Sequence, residues 1–336
     1  MNKIFLRYNE ETSNKFGKKP NLRTLGELFD TGAIIVDKQS GPTSHQEINY
    51  LKNILNIKKI GHSGTLDPKV TGVLIAGLGK GTRLMEYMLK SDKEYVCLMY
   101  IHKKTPKEQI KEIMKKFEGE ITQIPPVISA VKRQPRKRHI YEIKILEIKD
   151  EQYVLFRVRC ERGTYIRKLC SDVGESIGCG AHMQELRRTK AGPFNEEENI
   201  ISLDKLRNLY ELYLGNESQE NDSKNLYEKE LRKYIFPMEE LLVDFKKVYL
   251  RDSAIDSICH GGDLAIPGVA KLDETIKIGE DVAMFSQKGE LVGIGMSYLN
   301  SEDVMKKKKG AFVKTNKVFM DIGTYPQVWK FKGIIS

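Results

Sequence analysis

Gly61-His-Ser-Gly-Thr-Leu-Asp-Pro68 is the densest polar cluster in the chain, and the reading of the molecule turns on it. Two glycines let this backbone approach a ligand closely, and the Ser/Thr pair and Asp-Pro are turn formers. Asp67 precedes a proline, which pushes its own backbone toward extended geometry and away from a helix cap. A carboxylate presented in this way can project from the loop as a reactive group. The plainer reading is an Asx turn, and His62 alone reads equally well as a hydrogen-bonded structural histidine.

Outward from the loop, Gly32-Ala-Ile-Ile-Val-Asp37 and Val73–Ala76 read as buried strands. Between them, Thr43 or Ser44 can cap a helix that places Ile48, Leu51, Ile54 and Leu55 on one face. Further along come a helix near Leu84–Leu89, a strand at Tyr95–Ile101 and a helix near Pro106–Phe117. Ile143–Ile148 and Tyr153–Val158 alternate as paired strands do. Thr164 is placed to cap a helix with Ile166, Leu169, Val173 and Ile177 on its inner side. Strands and helices mix without strict βαβ repetition, which predicts an α+β fold. Residues 215–229 are polar and poor in large aliphatics, and predict a solvated loop. Beyond about Lys247 short β-like runs alternate with glycine turns, including Gly261-Gly262, as in a small β-barrel or sandwich.

At 336 residues the chain predicts two domains, and 40% hydrophobic against 30% charged residues describes a soluble globular protein. A net charge of +10 favours polyanion partners, because neutralising phosphates releases counterions. The five cysteines are scattered with no C-x-x-C pair, so neither a zinc site nor a disulfide framework is expected. The first twenty residues hold no apolar signal segment and no stretch has the length of a membrane span, which predicts a cytoplasmic protein. Gly77-Leu-Gly-Lys-Gly-Thr82 imitates a phosphate loop, but Thr82 stands where the dinucleotide pattern needs glycine. Gly81 likewise follows Lys80 where a P-loop needs Ser or Thr. No cofactor and no metal is expected.

Other clusters carry chemistry. In Arg162-Gly-Thr-Tyr-Ile-Arg167 an arginine stands at a helix start, able to pair with a carboxylate elsewhere and aim it. In Lys93-Glu-Tyr95 a tyrosine opens a strand, where its face can pack or can stack on a nucleobase. Basic segments at Val131–His139, Arg187-Arg188 with Lys190, and Lys306–Lys309 suggest an extended phosphate-tracking surface.

Gly61–Asp67 resembles the catalytic motif of the TruB/dyskerin family of pseudouridine synthases. Five further blocks stand in that family's order: Val36-Asp-Lys38 with Gly41-Pro-Thr-Ser44; Lys93-Glu-Tyr95; Pro125-Pro-Val-Ile-Ser-Ala-Val-Lys132; Gly163-Thr-Tyr-Ile-Arg167; and Gly180-Ala-His-Met-Gln-Glu-Leu-Arg-Arg188. The finer resemblance is to the archaeal branch that works with box H/ACA guide RNA. It rests on Ser129-Ala-Val-Lys-Arg133 with its basic continuation, on the block from Arg251-Asp-Ser-Ala254 through His260-Gly-Gly-Asp-Leu264 to Thr324-Tyr-Pro326, and on Arg23-Thr-Leu-Gly-Glu27. Gly262 departs from the alanine expected in the PUA motif.

The resemblance implies a catalytic fold with a central mixed, mostly antiparallel sheet flanked by helices, followed by a small β-barrel PUA domain. It sets an N-terminal extension at 1–30, the catalytic domain at 31–246 with the polar insertion 215–229, the PUA domain at 247–323 and a tail at 324–336. By the same resemblance Asp67 is the essential carboxylate, Arg167 its partner, and Tyr95 the ring that stacks on the everted uracil. Tyr165 and Leu186 line the base pocket, while Lys38 and His62 support it. Lys132, Arg133, Arg136, Lys137, Arg138, Arg187 and Arg188 meet RNA phosphates. The implied partners are substrate tRNA or rRNA, a box H/ACA guide RNA and small accessory proteins of the particle. A stand-alone synthase for the T-loop uridine of tRNA is the near alternative. A non-catalytic RNA scaffold is the distant one, and the joint presence of Asp67, Tyr95, Tyr165 and Arg167 argues against it. The chemistry agrees: moving a base between two atoms of one sugar needs a carboxylate in a site that excludes water, and an everted base needs an aromatic face.

Overall fold

Ala33–Val36 is rich in β-branched residues and buried throughout, and it forms the middle of strand Gly32–Lys38. This strand pairs antiparallel with Thr71–Leu78, Asp37 opposite Val73, so the two runs that bracket the Gly61–Pro68 loop are neighbours. The structure, a computed structural model, describes residues 3–9, 11–124, 134–215 and 222–327. It divides into two units, residues 29–236 and residues 1–28 with 237–336.

In the larger unit eleven strands make one sheet. Its main path runs Ile200–Ile201, Gly32–Lys38, Thr71–Leu78, Ala181–Ala191, Lys93–Ile101, Tyr153–Cys160, Arg136–Lys149, Gly119–Gln123. Most pairs are antiparallel; Thr71–Leu78 meets Ala181–Ala191 in parallel over a two-residue seam, Thr71 to Arg187 and Gly72 to Arg188. Helices Lys107–Lys115 and Ile166–Ile177 cover one face through Ile110, Ile113, Met114, Leu169, Cys170 and Val173, packed on Cys97, Met99, Phe156 and Val158. The mixed α+β expectation holds.

Several local expectations are narrowed or corrected. Thr43, not Ser44, is the cap of helix Ser44–Leu55; it forms a reciprocal capping box with Gln46. Thr164 does not cap its helix: its hydroxyl closes a turn onto the Glu161 carbonyl, and Tyr165 takes the cap position without a side-chain capping bond. The basic stretch Val131–His139, for which the sequence offers no secondary structure, is strand from Arg136 onward, pairing with Gly119–Gln123. The polar segment 215–229 becomes helix from Asp222 to Leu231, anchored by fully buried Leu231 and by an Arg232–Glu228 pair one turn apart; residues 216–221 lie outside the described residues.

The smaller unit is a seven-stranded sheet in the order Ile4–Leu6, Val269–Asp273, Lys246–Leu250, Asp281–Phe285, Leu291–Ser297, Ala311–Val318, Leu264–Ala265. Residues 1–28 are not an appendage. Ile4–Leu6 adds an edge strand, Phe5 and Phe16 pack on this unit's core, and Ser13 and Lys18 bond through their backbone N–H to Asp252 and Glu290. Tyr325, expected in a tail, is 1% exposed and donates to Glu290. Isolated aromatics in polar surroundings leave no period to read, so periodicity offered nothing against the extension and the tail that the resemblance implied.

Candidate active site

Asp67 stands on a loop fixed at almost every residue. The Ser44 hydroxyl accepts from the Leu66 N–H at 2.8 Å and donates to the Leu66 carbonyl at 3.1 Å, gripping the residue before the carboxylate. Lys38 is fully buried and spends its ammonium on three carbonyls, Gln39 (2.9 Å), Pro68 (3.0 Å) and Val70 (2.9 Å). The Gly41 N–H donates to the Pro68 carbonyl and the Val70 N–H to that of Asp67, both at 3.0 Å. The carboxylate itself stays outside this web, its side chain 54% exposed.

Arg167 reaches it from the first turn of helix Ile166–Ile177 and forms an ion pair through Nη2 and Oδ2. Two residues 100 positions apart thus meet at the loop. The helix start is held by Gln123, which sequence reasoning missed. Its amide nitrogen donates to the Tyr165 carbonyl at 3.1 Å and its amide oxygen accepts from the Tyr165 N–H at 2.9 Å. A glutamine at a strand end gives no sequence signal for such a role.

Tyr95 lies in strand Lys93–Ile101, its ring half-buried against the sheet core and its backbone opposite Arg188. Burial raises its hydroxyl pKa, and the positive charge of Arg188 pulls the other way. Leu186, opposite Cys97 on the next strand, is also half-buried against that core. His62 ends strand Ile60–His62, and its Nδ1 has no hydrogen-bond partner. Burial, and then the charges of Arg188 and His45, lower its pKa, so the imidazole is neutral near pH 7. Burial also lowers the Lys38 pKa, against the carboxylates of Glu47 and Asp67.

Together these residues make an open carboxylate, aimed by a guanidinium and carried on a rigid loop, with a half-buried aromatic ring in strand Lys93–Ile101 of the same sheet. A profile described as "TruB family pseudouridylate synthase (N terminal domain)" matches residues 52–166, and "tRNA pseudouridylate synthase B C-terminal domain" matches residues 167–243. A relative named "Probable tRNA pseudouridine synthase B", from Methanothermobacter thermautotrophicus, is 46% identical over 97% of this chain and 98% of its own. The chain belongs to the TruB family of pseudouridine synthases.

It is therefore an enzyme of the family that isomerises uridine in RNA. The PUA domain profile matches residues 246–319 and the DKCLD profile residues 1–48. A protein of the same description from Methanocaldococcus jannaschii is 46% identical over 96% of this chain and 93% of its own. Among solved structures, the chain matches an H/ACA RNP bound to a substrate RNA containing 2'-deoxyuridine with a TM-score of 0.87. That match has 42% identity and covers 98% of each chain. It matches a Cbf5-Nop10-Gar1 complex equally well, at 44% identity and a TM-score of 0.87, over 98% of this chain and 97% of that one. Among the described residues no helix is long and apolar enough to cross a membrane.

The expected phosphate-binding arginines fare unevenly in this pseudouridine synthase. Lys132 and Arg133 lie outside the described residues. Lys137 is exposed and paired with Glu120 at 2.8 Å. Arg136 and Arg138 are half-buried, each with an Nε that has no partner, and Arg138 packs on Gly163 beside the Arg162–Arg167 turn. Arg187 is tied to Asp37 at 2.9 Å and Glu196 at 2.5 Å, its charge already balanced. Arg188 is a plain correction: it is 1% exposed and points into the protein, so it cannot touch a phosphate.

Proposed function

We propose that Asp67 is the reactive carboxylate of this enzyme, acting on the ribose of an everted uridine whose base stacks on Tyr95. The Asp67–Arg167 ion pair on the fixed loop carries this reading. Arg167 holds the carboxylate aimed and ionised, while Ser44 and Lys38 prevent the loop from yielding as substrate enters. His62, at the end of the strand that leads into the loop, supports the pocket from within, its Nδ1 buried. The two routes open to the carboxylate are addition at C1′ and proton removal at C2′; both release the base from the sugar and both return it through C5.

The RNA is delivered, in this reading, by a box H/ACA guide within a cytoplasmic particle that includes small accessory proteins, with exposed Lys137 and Lys306–Lys309 meeting phosphates. The names of the relatives favour tRNA as a second substrate, and the resemblance points within it to the T-loop uridine. Asp67→Asn should abolish pseudouridine formation under single-turnover conditions while leaving RNA affinity within about twofold, since the loss falls on the transition state; persistent modification would remove Asp67 from its role. Strong turnover of tRNA by the purified enzyme without any guide would move the guided reaction to second place.

A further inference from the structure

Arg188 is the largest of the fully buried side chains among the described residues, and no carboxylate among them lies within ion-pair distance of it. Its Nε donates to the Val73 carbonyl at 2.7 Å and its Nη2 to the Gly64 carbonyl at 3.2 Å, and Arg188 stands directly opposite Tyr95 in the strand register. One side chain on strand Ala181–Ala191 thus joins strand Thr71–Leu78, the Asp67 loop and the strand of the stacking ring. The space is closed around it. A Cβ on Gly64 would sit 3.4 Å from Nη1, and one on Gly72, at φ +101°, would sit 2.2 Å from the Arg188 carbonyl oxygen. Next to it lies a second buried cation, Lys93, whose ammonium bonds only to Met88 and Ser91 oxygens.

Burying a guanidinium without a counter-charge costs several kcal/mol in ordinary circumstances, and proteins seldom tolerate it. The cost is offset where a negative charge arrives during function. Both routes open to Asp67 supply one: when the C1′–N1 bond breaks, its electron pair stays on the base, and the charge spreads over N1, O2 and O4. When C5 then bonds to C1′, the C5 proton is released and N1 regains a proton, so the reaction balances as an isomerisation. An unneutralised positive charge on the residue paired with Tyr95 acts through a low-dielectric interior, where fixed charges are most effective.

We propose that Arg188 is a positioning residue for the isomerisation, which holds Tyr95 and the Asp67 loop on one guanidinium and stabilises the detached uracil as an anion. The proposal rests on the reading of Asp67 and Tyr95 given above. Arg188 does not touch substrate, so removing it affects the rate of the bound complex and leaves RNA affinity unchanged.

The test compares two variants on two substrates in single turnover: Arg188→Gln, which keeps an amide donor and loses the charge, and Arg188→Lys, which keeps the charge and loses the planar fork. Each acts on target RNA carrying uridine or 5-fluorouridine, read as loss of the parent nucleoside. Fluorine withdraws electrons and stabilises the base anion by itself, so a missing charge matters less. Arg188→Gln should be slowed roughly 10²-fold on uridine and less than about tenfold on 5-fluorouridine, with unchanged RNA affinity. Arg188→Lys should keep the parent's ratio between the two substrates. An equal loss on both substrates in the glutamine variant, or no loss at all, overturns the proposal. If that variant does not fold, a lysine variant that is selectively rescued by fluorine overturns it alone. Asp67→Asn run alongside separates the levels: activity there removes the underlying reading, whereas a dead Asp67→Asn with equal Arg188→Gln losses removes only this proposal.

Discussion

Lys93 sets out the residue-scale physics most directly. Burial, followed by the charge of Arg188, pulls its pKa down to about 8. An amine whose folded pKa lies below its unfolded value binds fewer protons folded than unfolded between the two values. Stability therefore rises as pH climbs from about 8 toward 10.5, and below 8 the full cost of the buried charge is present. Lys93→Met should remove this rise, so the difference in unfolding free energy between variant and parent should change by roughly 2–3 kcal/mol between about pH 7 and pH 10.5. Parallel urea-unfolding curves at the two pH values would show that Lys93 carries no such penalty. Tyr95→Ala belongs to the same scale: losing the stacking face should cost roughly 1–3 kcal/mol of single-turnover activation, and an unchanged rate would take Tyr95 out of the base site. What was legible at this scale is the pairing of Asp67 with Arg167, two residues in motifs whose residue types limit what they can do. Arg188 was misread because two adjacent arginines look like one patch. Along a strand neighbours point to opposite faces, and only recognising Ala181–Ala191 as a strand sends Arg188 inward and leaves Arg187 at the edge.

Elements explain why the Asp67 loop is rigid although its composition is that of a flexible turn. Its fixings come from helix Ser44–Leu55 through Ser44, from strand Gly32–Lys38 through Lys38, and from strand Ala181–Ala191 through Arg188. Ser44 is the sharpest case. The sequence offered Thr43 and Ser44 as interchangeable caps, and the helix uses the first, which frees the second to turn inward onto Leu66. Ser44→Ala leaves a buried N–H and carbonyl without partners and should cost roughly 1–3 kcal/mol of stability. It should also lower the single-turnover rate at unchanged RNA affinity, because Leu66 directly precedes Asp67, the carboxylate proposed to react. A stable Ser44→Ala with parental rate would show that the loop is fixed elsewhere. The hairpin between Arg136–Lys149 and Tyr153–Cys160 was legible from alternation alone, yet its turn was not: Asp150 and Glu151 both take positive φ (54° and 56°) where glycine would have announced it.

At the scale of the whole molecule, charge is the property the sequence reported most directly and placed least well. The +10 balance pointed to a polyanion, and the family of the chain agrees, but of the predicted phosphate ligands Arg187 and Arg188 are committed to the protein's own loops and carboxylates. A formal charge count cannot separate arginines that build the site from lysines that meet solvent; burial can. Lys306–Lys309 are all exposed, in the unit that matches the PUA profile, and none forms an ion pair among the described residues. They are thus free to release counterions on binding. Changing all four to glutamine should flatten the dependence of log affinity on log salt by about 0.7–0.9 for each phosphate that is no longer neutralised, so by about 3 if all four engage RNA. The rate of the bound complex should not change, because nothing in the Asp67 loop depends on these lysines. Asp67→Asn should do the reverse, removing turnover and leaving the salt slope as it was. Fluorescence polarisation across a salt series, paired with single-turnover rates, tests both halves. A quadruple variant with the parental slope would take this patch out of the RNA-binding surface and leave the grip to the basic residues of the larger unit.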